Sequence, residues 1–190
     1  MPPKVIKPDT VRDLGDVDCA RLVKLAQRVS DDTWAQENKG KENDFEVFHH
    51  TQHIIFRFIA ANRDPEDNYA NPAWEIWQPV LQPVMDQAIK PYSFRNPVFP
   101  KAMLAKLRAG HIIDPHYDGA GSNPLVHKIH VPLVTNQHAT FQVRDESFHL
   151  PVGKAYEVNN IVSHGARNEG DEDRIHFIFE VFEGDYAVAG

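Results

Sequence analysis

Arg174-Ile175-His176-Phe177-Ile178-Phe179-Glu180-Val181 alternates as a strand does. Ile175, Phe177, Phe179 and Val181 fall on one face, and Arg174 and His176 take the other. An arginine that opens such a strand has two readings. It is solvated or salt-bridged at the strand start, or its guanidinium fork receives a carboxylate in two-point contact. The run 126–134 repeats the pattern: Lys128 and His130 share a face with Val126, while His127, Ile129, Val131 and Leu133 share the other. Either Lys128 and His130 are both exposed, or both look into a polar cavity. A sheet that curls around a metal makes the second natural, because interior polar groups then have an anionic ligand to pair with.

Outward from these two runs the texture stays β-like. Short segments at 101–108, 139–143 and 155–159 are separated by Gly, Pro, Asn and Asp. Regularly spaced short strands after an α-rich beginning predict a mainly β fold with flanking helices, a sandwich or jelly roll. Ahead of them, Asp16-Val17-Asp18 caps a helix carrying Leu22, Leu25, Ala26 and Val29, which Ser30-Asp31-Asp32-Thr33 ends. A polar loop at 38–43, a strand from His53 to Ala60 and a loop at 62–68 follow. Asn71-Pro72 opens a second helix, and Pro79 and Pro83 predict a break or kink in it. Trp74 and Trp77 read as core packing. No repeat, low-complexity tract or linker interrupts 45–183, so 1–190 reads as one domain.

Composition narrows the function classes. The 190 residues are 42% hydrophobic and 25% charged, an ordinary globular balance. Lys and Arg number 20 against 27 acids, a net charge of −7, which argues against nucleic-acid binding through basic patches. The one cysteine, Cys19, can build neither an intramolecular disulfide nor a thiolate metal site. Runs such as Ile54-Ile55-Phe56 are far short of a membrane span, and the first eight residues contain no apolar signal region. A cytoplasmic protein with no membrane partner is expected.

The chemistry lies in histidine spacing. His116-Tyr117-Asp118 sets an imidazole and a carboxylate two positions apart, on one side of an extended chain. A third ligand must come from elsewhere in the sheet, and His164 lies just past a predicted strand. Two histidines and one carboxylate on one face leave coordination positions open, which suits non-haem Fe(II) activating O2. The same three residues could hold Mn(II), Ni(II) or zinc in a non-oxidising cupin-like isomerase or small-ligand sensor. Arg174 with His130 separates the two readings, since a simple metal-binding barrel requires neither. A structural or partner-binding domain with incidental histidines is the third reading. His49, His50 and His53, near the first predicted strand, either line the pocket mouth or sit at the surface, and the surface is the expected place. Asn159 and Ser163 either orient His164 or merely end a strand. Tyr117 and Arg144 are weaker candidates for substrate contact.

The stretch Gly110-His111-Ile112-Ile113-Asp114-Pro115-His116-Tyr117-Asp118, then Lys128-Ile129-His130-Val131-Pro132-Leu133, then Asn159 to His164, then Arg174 to Phe182 resembles the aspartyl/asparaginyl β-hydroxylase family. The likeness covers roughly residues 100–183. It implies a double-stranded β-helix, a cupin-like jelly roll whose metal- and cosubstrate-binding core is 101–183, with 1–100 a helical/β portion packing on it. It also implies an Fe(II)- and 2-oxoglutarate-dependent dioxygenase that uses O2, hydroxylates an unactivated C–H and releases succinate and CO2. His116 and His164 then match the iron-binding histidines, Arg174 the partner of the distal carboxylate of 2-oxoglutarate, and His130 a second contact to that cosubstrate. Lys128 matches a basic residue facing the substrate carboxylate. Asp118 stands where animal peptidyl hydroxylases of the family have glycine, and as a metal ligand it is closer to the branch resembling free-amino-acid hydroxylases. The substrate is accordingly expected to bear a carboxylate, as a free amino acid or an Asp/Asn-type side chain, in a small molecule or a peptide.

Overall fold

The structure, a computed structural model, describes residues 1–42, 44–119 and 121–186. In chain order its elements are β1 (Val11–Asp16), α1 (Ala20–Ala26), α2 (Asp31–Glu37), β2 (Thr51–Ile59), β3 (Asn68–Ala70), α3 (Ala73–Ala88), β4 (Pro97–Leu107), β5 (His111–His116), β6 (His127–Val134), β7 (Ala139–Val143), β8 (Glu146–Phe148), β9 (Lys154–Val158), β10 (His164–Asn168) and β11 (Arg174–Glu183). The strands form two antiparallel sheets. The larger has the order β1-β9-β6-β11-β4-β2-β3 and the smaller β5-β10-β7-β8. This is a jelly roll with helices outside it.

The alternation in β11 explains the layering. Phe177, Phe179 and Val181 are fully buried against one face of the large sheet, in a core shared with Leu22, Trp34, Leu81 and Met85 of the three helices. Burying each phenylalanine contributes roughly 2–3 kcal/mol. The opposite face of β11 looks toward the small sheet. There Leu107, Phe141, Val143, Tyr156, Val158 and Ala166 make a second, smaller core. Between the sheets lies a cavity of about 380 Å³.

Several local expectations are corrected. Ser30 does not simply end a helix; its hydroxyl accepts from the Thr33 N–H at 3.2 Å and caps α2, which places Trp34 in the core. Pro79 and Pro83 do not break α3, which runs unbroken over Ala73–Ala88. Both prolines are exposed, and the carbonyls that lose a partner belong to exposed Glu75 and Pro79, where water can replace the bond. The apolar stripe Trp74, Val80, Leu81, Val84, Met85 and Ala88 holds the helix to the sheet. The short strands β1, β3, β5, β8 and β10 carry weak alternation and become strands only through their neighbours. β1, β2 and β3, from the first hundred residues, lie in the large sheet itself. Among the described residues no helix is long and apolar enough to cross a membrane.

Candidate metal centre and its cavity

His116 ends β5, and directly across the antiparallel pair His164 opens β10. Their rings lie 4.3 Å apart. The ladder shifts register between His164 and Ala166, and Gly165 allows it: a Cβ there would sit 2.7 Å from the Ile113 carbonyl oxygen. Gly165→Ala is therefore expected to force β5 and β10 apart. A cost of about 1–3 kcal/mol in thermal or chemical unfolding, together with weaker binding of divalent metal, is the expected result.

Asp118 follows just past β5, with its N–H on the Asn160 carbonyl at 3.0 Å. Its Oδ1 lies 3.5 Å from His116 Nε2 and 3.8 Å from His164 Nε2. One ligand atom from each of the three residues falls within 4.8 Å of the others. The remaining hydrogen bonds set their protonation. His116 Nδ1 donates to the Asp114 carbonyl at 2.8 Å and His164 Nδ1 to the Val162 carbonyl at 3.0 Å. Carbonyls only accept, so each Nδ1 carries the proton and each Nε2 presents a lone pair when the ring is neutral. Burial pushes His164 down to about 4, keeping it neutral at pH 7. Burial alone would raise Asp118, but Lys128 and the nearby histidines outweigh it and hold the carboxyl well below its usual range. His116 Nε2 is buried with no hydrogen-bond partner. Three acceptors with no donor between them fit a divalent cation, and two nitrogens with one oxygen suit iron, nickel or manganese.

Lys128, expected to face a substrate carboxylate, lines the cavity, and its Nζ is 2.6 Å from Asp118 Oδ2. Burial would lower the lysine, but Asp118 and Glu180 prevail and raise it. Asn160 Nδ2 also donates to Oδ2 at 2.9 Å, which leaves Oδ1 alone for a metal. Asn160 thus supports the carboxylate, while the amide of Asn159, a candidate for orienting His164, is tied to the Pro8 carbonyl at 2.8 Å. Lys7 extends the chain of contacts, donating to Asn160 Oδ1 at 2.7 Å.

Further along the same wall, Arg174 is 4% exposed and lines the cavity. Its guanidinium rests on the His176 imidazole, with Nε 3.0 Å from Nε2 and Nη2 2.9 Å from Nδ1. Arginine can only donate, and a neutral imidazole accepts through one nitrogen. Burial, then Arg174 itself, keeps His176 well below its ordinary value. Among the described residues no carboxylate pairs with Arg174, and burial lowers it to about 10. A desolvated cation without an acid calls for an anionic ligand. His130 also faces the cavity, with Nδ1 3.3 Å from His176 Nδ1 and Nε2 buried without a partner. Burial, then Arg174, lowers its basicity strongly.

His53 was expected at the surface, and the structure buries it: it is 3% exposed and lines the cavity from β2. Its place opposite Ala105, on the cavity face of β4, is the reason. His49 is exposed and His50 partly so. Tyr117 is 68% exposed at the cavity mouth. Arg144, a weaker substrate candidate, sits exposed in the β7–β8 turn with its N–H on the Ser163 carbonyl, away from the cavity lining. Asn160, Lys101 and Asn62 were not singled out from sequence, and His176 was placed on the face of Arg174 without a role.

Burial pushes His53 down to about 3, so the folded state holds it neutral while the unfolded chain protonates it near its ordinary 6.5. Stability is then complete above pH 6.5 and declines as pH falls toward 3, at about 1.4 kcal/mol per pH unit from this group. Urea unfolding across that range should show the slope, and His53→Phe should flatten it by that amount.

An antiparallel jelly roll whose two sheets enclose a two-histidine, one-carboxylate cradle, beside a buried guanidinium that pairs with no carboxylate among the described residues, defines a cupin-like barrel with a candidate metal site. Residues 76–183, more than half of the chain, match the family model described as aspartyl/asparaginyl beta-hydroxylase, and the chain belongs to that family. No curated protein matches its sequence. Among solved structures it is similar in fold to an oxidoreductase of the 2OG-Fe(II) oxygenase family from Burkholderia pseudomallei (13% identity, 86% of this chain and 77% of that one, TM-score 0.58). A non-heme monooxygenase, ThoJ in complex with nickel, is also similar (12% identity, 96% and 77%, TM-score 0.57). So is HygX from Streptomyces hygroscopicus, solved with nickel, 2-oxoglutarate and hygromycin B (11% identity, 93% and 84%, TM-score 0.55).

Proposed function

We propose that this chain is an Fe(II)- and 2-oxoglutarate-dependent dioxygenase that hydroxylates an unactivated C–H of a carboxylate-bearing substrate, a small molecule or a peptide. Family membership supports the reading. The observation that carries it is the buried Arg174 guanidinium, paired with no carboxylate among the described residues, in the same cavity as three converging metal-ligand acceptors. Iron, 2-oxoglutarate and O2 together supply the oxidising chemistry, in which the keto acid is converted to succinate and CO2.

The chain's own residues hold and orient. His116, Asp118 and His164 would bind the metal on one side, with Asp118 offering one oxygen because Lys128 and Asn160 take the other. Arg174 would receive the far carboxylate of the cosubstrate, its plane fixed by His176. His130 stays neutral through burial and presents Nε2 to the same ligand. Met103, Phe141, Val158 and Ile178 wall the cavity and limit water. Little acid–base work falls to the protein, and positioning is its main contribution.

Anaerobic titration with Fe(II) and 2-oxoglutarate tests the reading. A visible charge-transfer band of the chelate at one equivalent, followed by succinate release in air, is the expected result. Metal binding with neither band nor succinate would instead favour the non-oxidising metal-barrel reading.

A further inference from the structure

His53 lines the cavity but belongs neither to the three-residue metal cradle nor to the Arg174 anchor. It is 3% exposed, and its Nδ1 is buried with no hydrogen-bond partner among the described residues. A buried ring nitrogen without a partner forfeits the water it bonds in the unfolded chain. Phenylalanine or leucine at this position would carry no such cost. A ligand group that bonds the ring removes it.

The sheet fixes where that group sits. The His53 N–H is held by Asn38 Oδ1 at 3.0 Å. Across the inner face His53 lies opposite Ala105, which lies opposite His176. Two strand spacings, roughly 10 Å, therefore separate His53 from the ring that supports Arg174. A group on His53 is distinct from a carboxylate on Arg174. On its other side the Phe48 ring stands edge-on both to His53, with centroids 5.7 Å apart, and to His116, at 5.5 Å. A ligand that rests on His53 and Phe48 is thus one ring away from a candidate metal ligand. Val47 beside Phe48, with Met103 and Ala105 on β4, keeps this corner apolar.

The chemistry of the corner selects the group. Burial, then Lys41 and Lys128, pushes His53 down to about 3, so the ring is neutral at pH 7, with one donor and one acceptor. The same two lysines disfavour a substrate ammonium. A carboxylate would be desolvated there with no cation free to meet it. Lys128 is held by Asp118, and the Lys41 ammonium lies on the Phe48 and Thr51 carbonyls, outside the cavity lining. A hydroxyl or a carboxamide both donates and accepts, so it bonds either tautomer of the ring and brings no charge.

We propose that His53 is a specificity-determining residue, which receives an uncharged hydroxyl or carboxamide on the apolar part of the substrate, in the corner between Phe48 and Ala105. The proposal rests on the oxygenase reading and deepens it, since it concerns a part of the substrate other than its carboxylate.

Monosubstituted benzenes isolate that group. Toluene, benzyl alcohol, benzamide, benzoate and benzylammonium are titrated into protein loaded with Zn(II) and 2-oxoglutarate. Dissociation constants come from backbone amide shifts, and the location from the nitrogen shifts of the His53 imidazole. Benzyl alcohol or benzamide is expected to bind ten times or more tightly than the other three probes and to move the His53 nitrogens. His53→Phe should bring the alcohol and the amide down to toluene, with toluene itself changing less than twofold. His53→Gln, which keeps an uncharged donor and acceptor, should retain at least a threefold advantage. If His53→Phe fails to fold, His53→Leu carries the same expectation. Benzoate or benzylammonium as the tightest probe, no probe that moves the His53 nitrogens, or an unchanged preference in His53→Phe overturns the proposal. Absence of 2-oxoglutarate binding by the wild-type protein is read separately, as failure of the oxygenase assignment, and the probe order is then decided with Zn(II) alone.

Discussion

His164→Ala is expected to abolish turnover, with succinate release falling on the order of a thousandfold or more, equivalent to roughly 4 kcal/mol. The reason is the arrangement of the three acceptors. His164 supplies one of only two nitrogens in the cradle, and His116 and Asp118 alone cannot define a face. Removing the ring also opens a void beside Phe141, whose ring centroid lies 6.0 Å away. Equilibrium dialysis with Fe(II) or Ni(II) separates loss of metal from loss of fold, since β10 keeps its backbone pairing with both β5 and β7. Metal affinity and succinate release close to those of wild type would remove His164 from the centre and the proposed function with it.

Arg174→Met is expected to move activity and stability in opposite directions. Without the guanidinium, the distal carboxylate of 2-oxoglutarate would be buried unpaired, a penalty of roughly 2–5 kcal/mol, or about 30- to 5,000-fold in KM. The folded protein, by contrast, loses a buried cation that no acid among the described residues pairs with. Replacing a buried charge by an apolar side chain of similar length is often neutral or stabilising, by about 1–4 kcal/mol in the cases studied. Thermal or chemical unfolding of the cosubstrate-free variant should therefore show no loss, and KM for 2-oxoglutarate should rise steeply. A variant that unfolds easily and keeps its KM would make Arg174 a structural residue. The pairing of low affinity with undiminished stability is what a site residue, rather than a packing residue, produces.

Much of this molecule can be read along the chain. Period-two alternation in 174–183 and 126–134 separates residues facing the helices from those facing the cavity, and Arg174, His176, Lys128 and His130 all appear on the inner side. The His116-Tyr117-Asp118 spacing and a distant His164 anticipate the three groups that converge. The helix-breaking reading of Pro79 and Pro83 fails, because a local preference is overridden when an apolar stripe has a sheet to bury it and the orphaned carbonyls face water. The weakly patterned strands β5 and β10 are invisible alone, since their partners supply the bonds that define them.

What the sequence determined by itself is therefore the inventory and its sidedness: which residues are chemically able to hold a metal or an anion, and which face of each long strand they share. What only the tertiary structure decided is who meets whom. Lys128 lies on Asp118, Asn160 supports that carboxylate, His53 is interior, and Lys101 stands beside Asn62. Each of those contacts joins segments between 10 and 52 positions apart. In extended chain a one-residue shift sends a side chain to the opposite face, and only the register against neighbouring strands sets that choice.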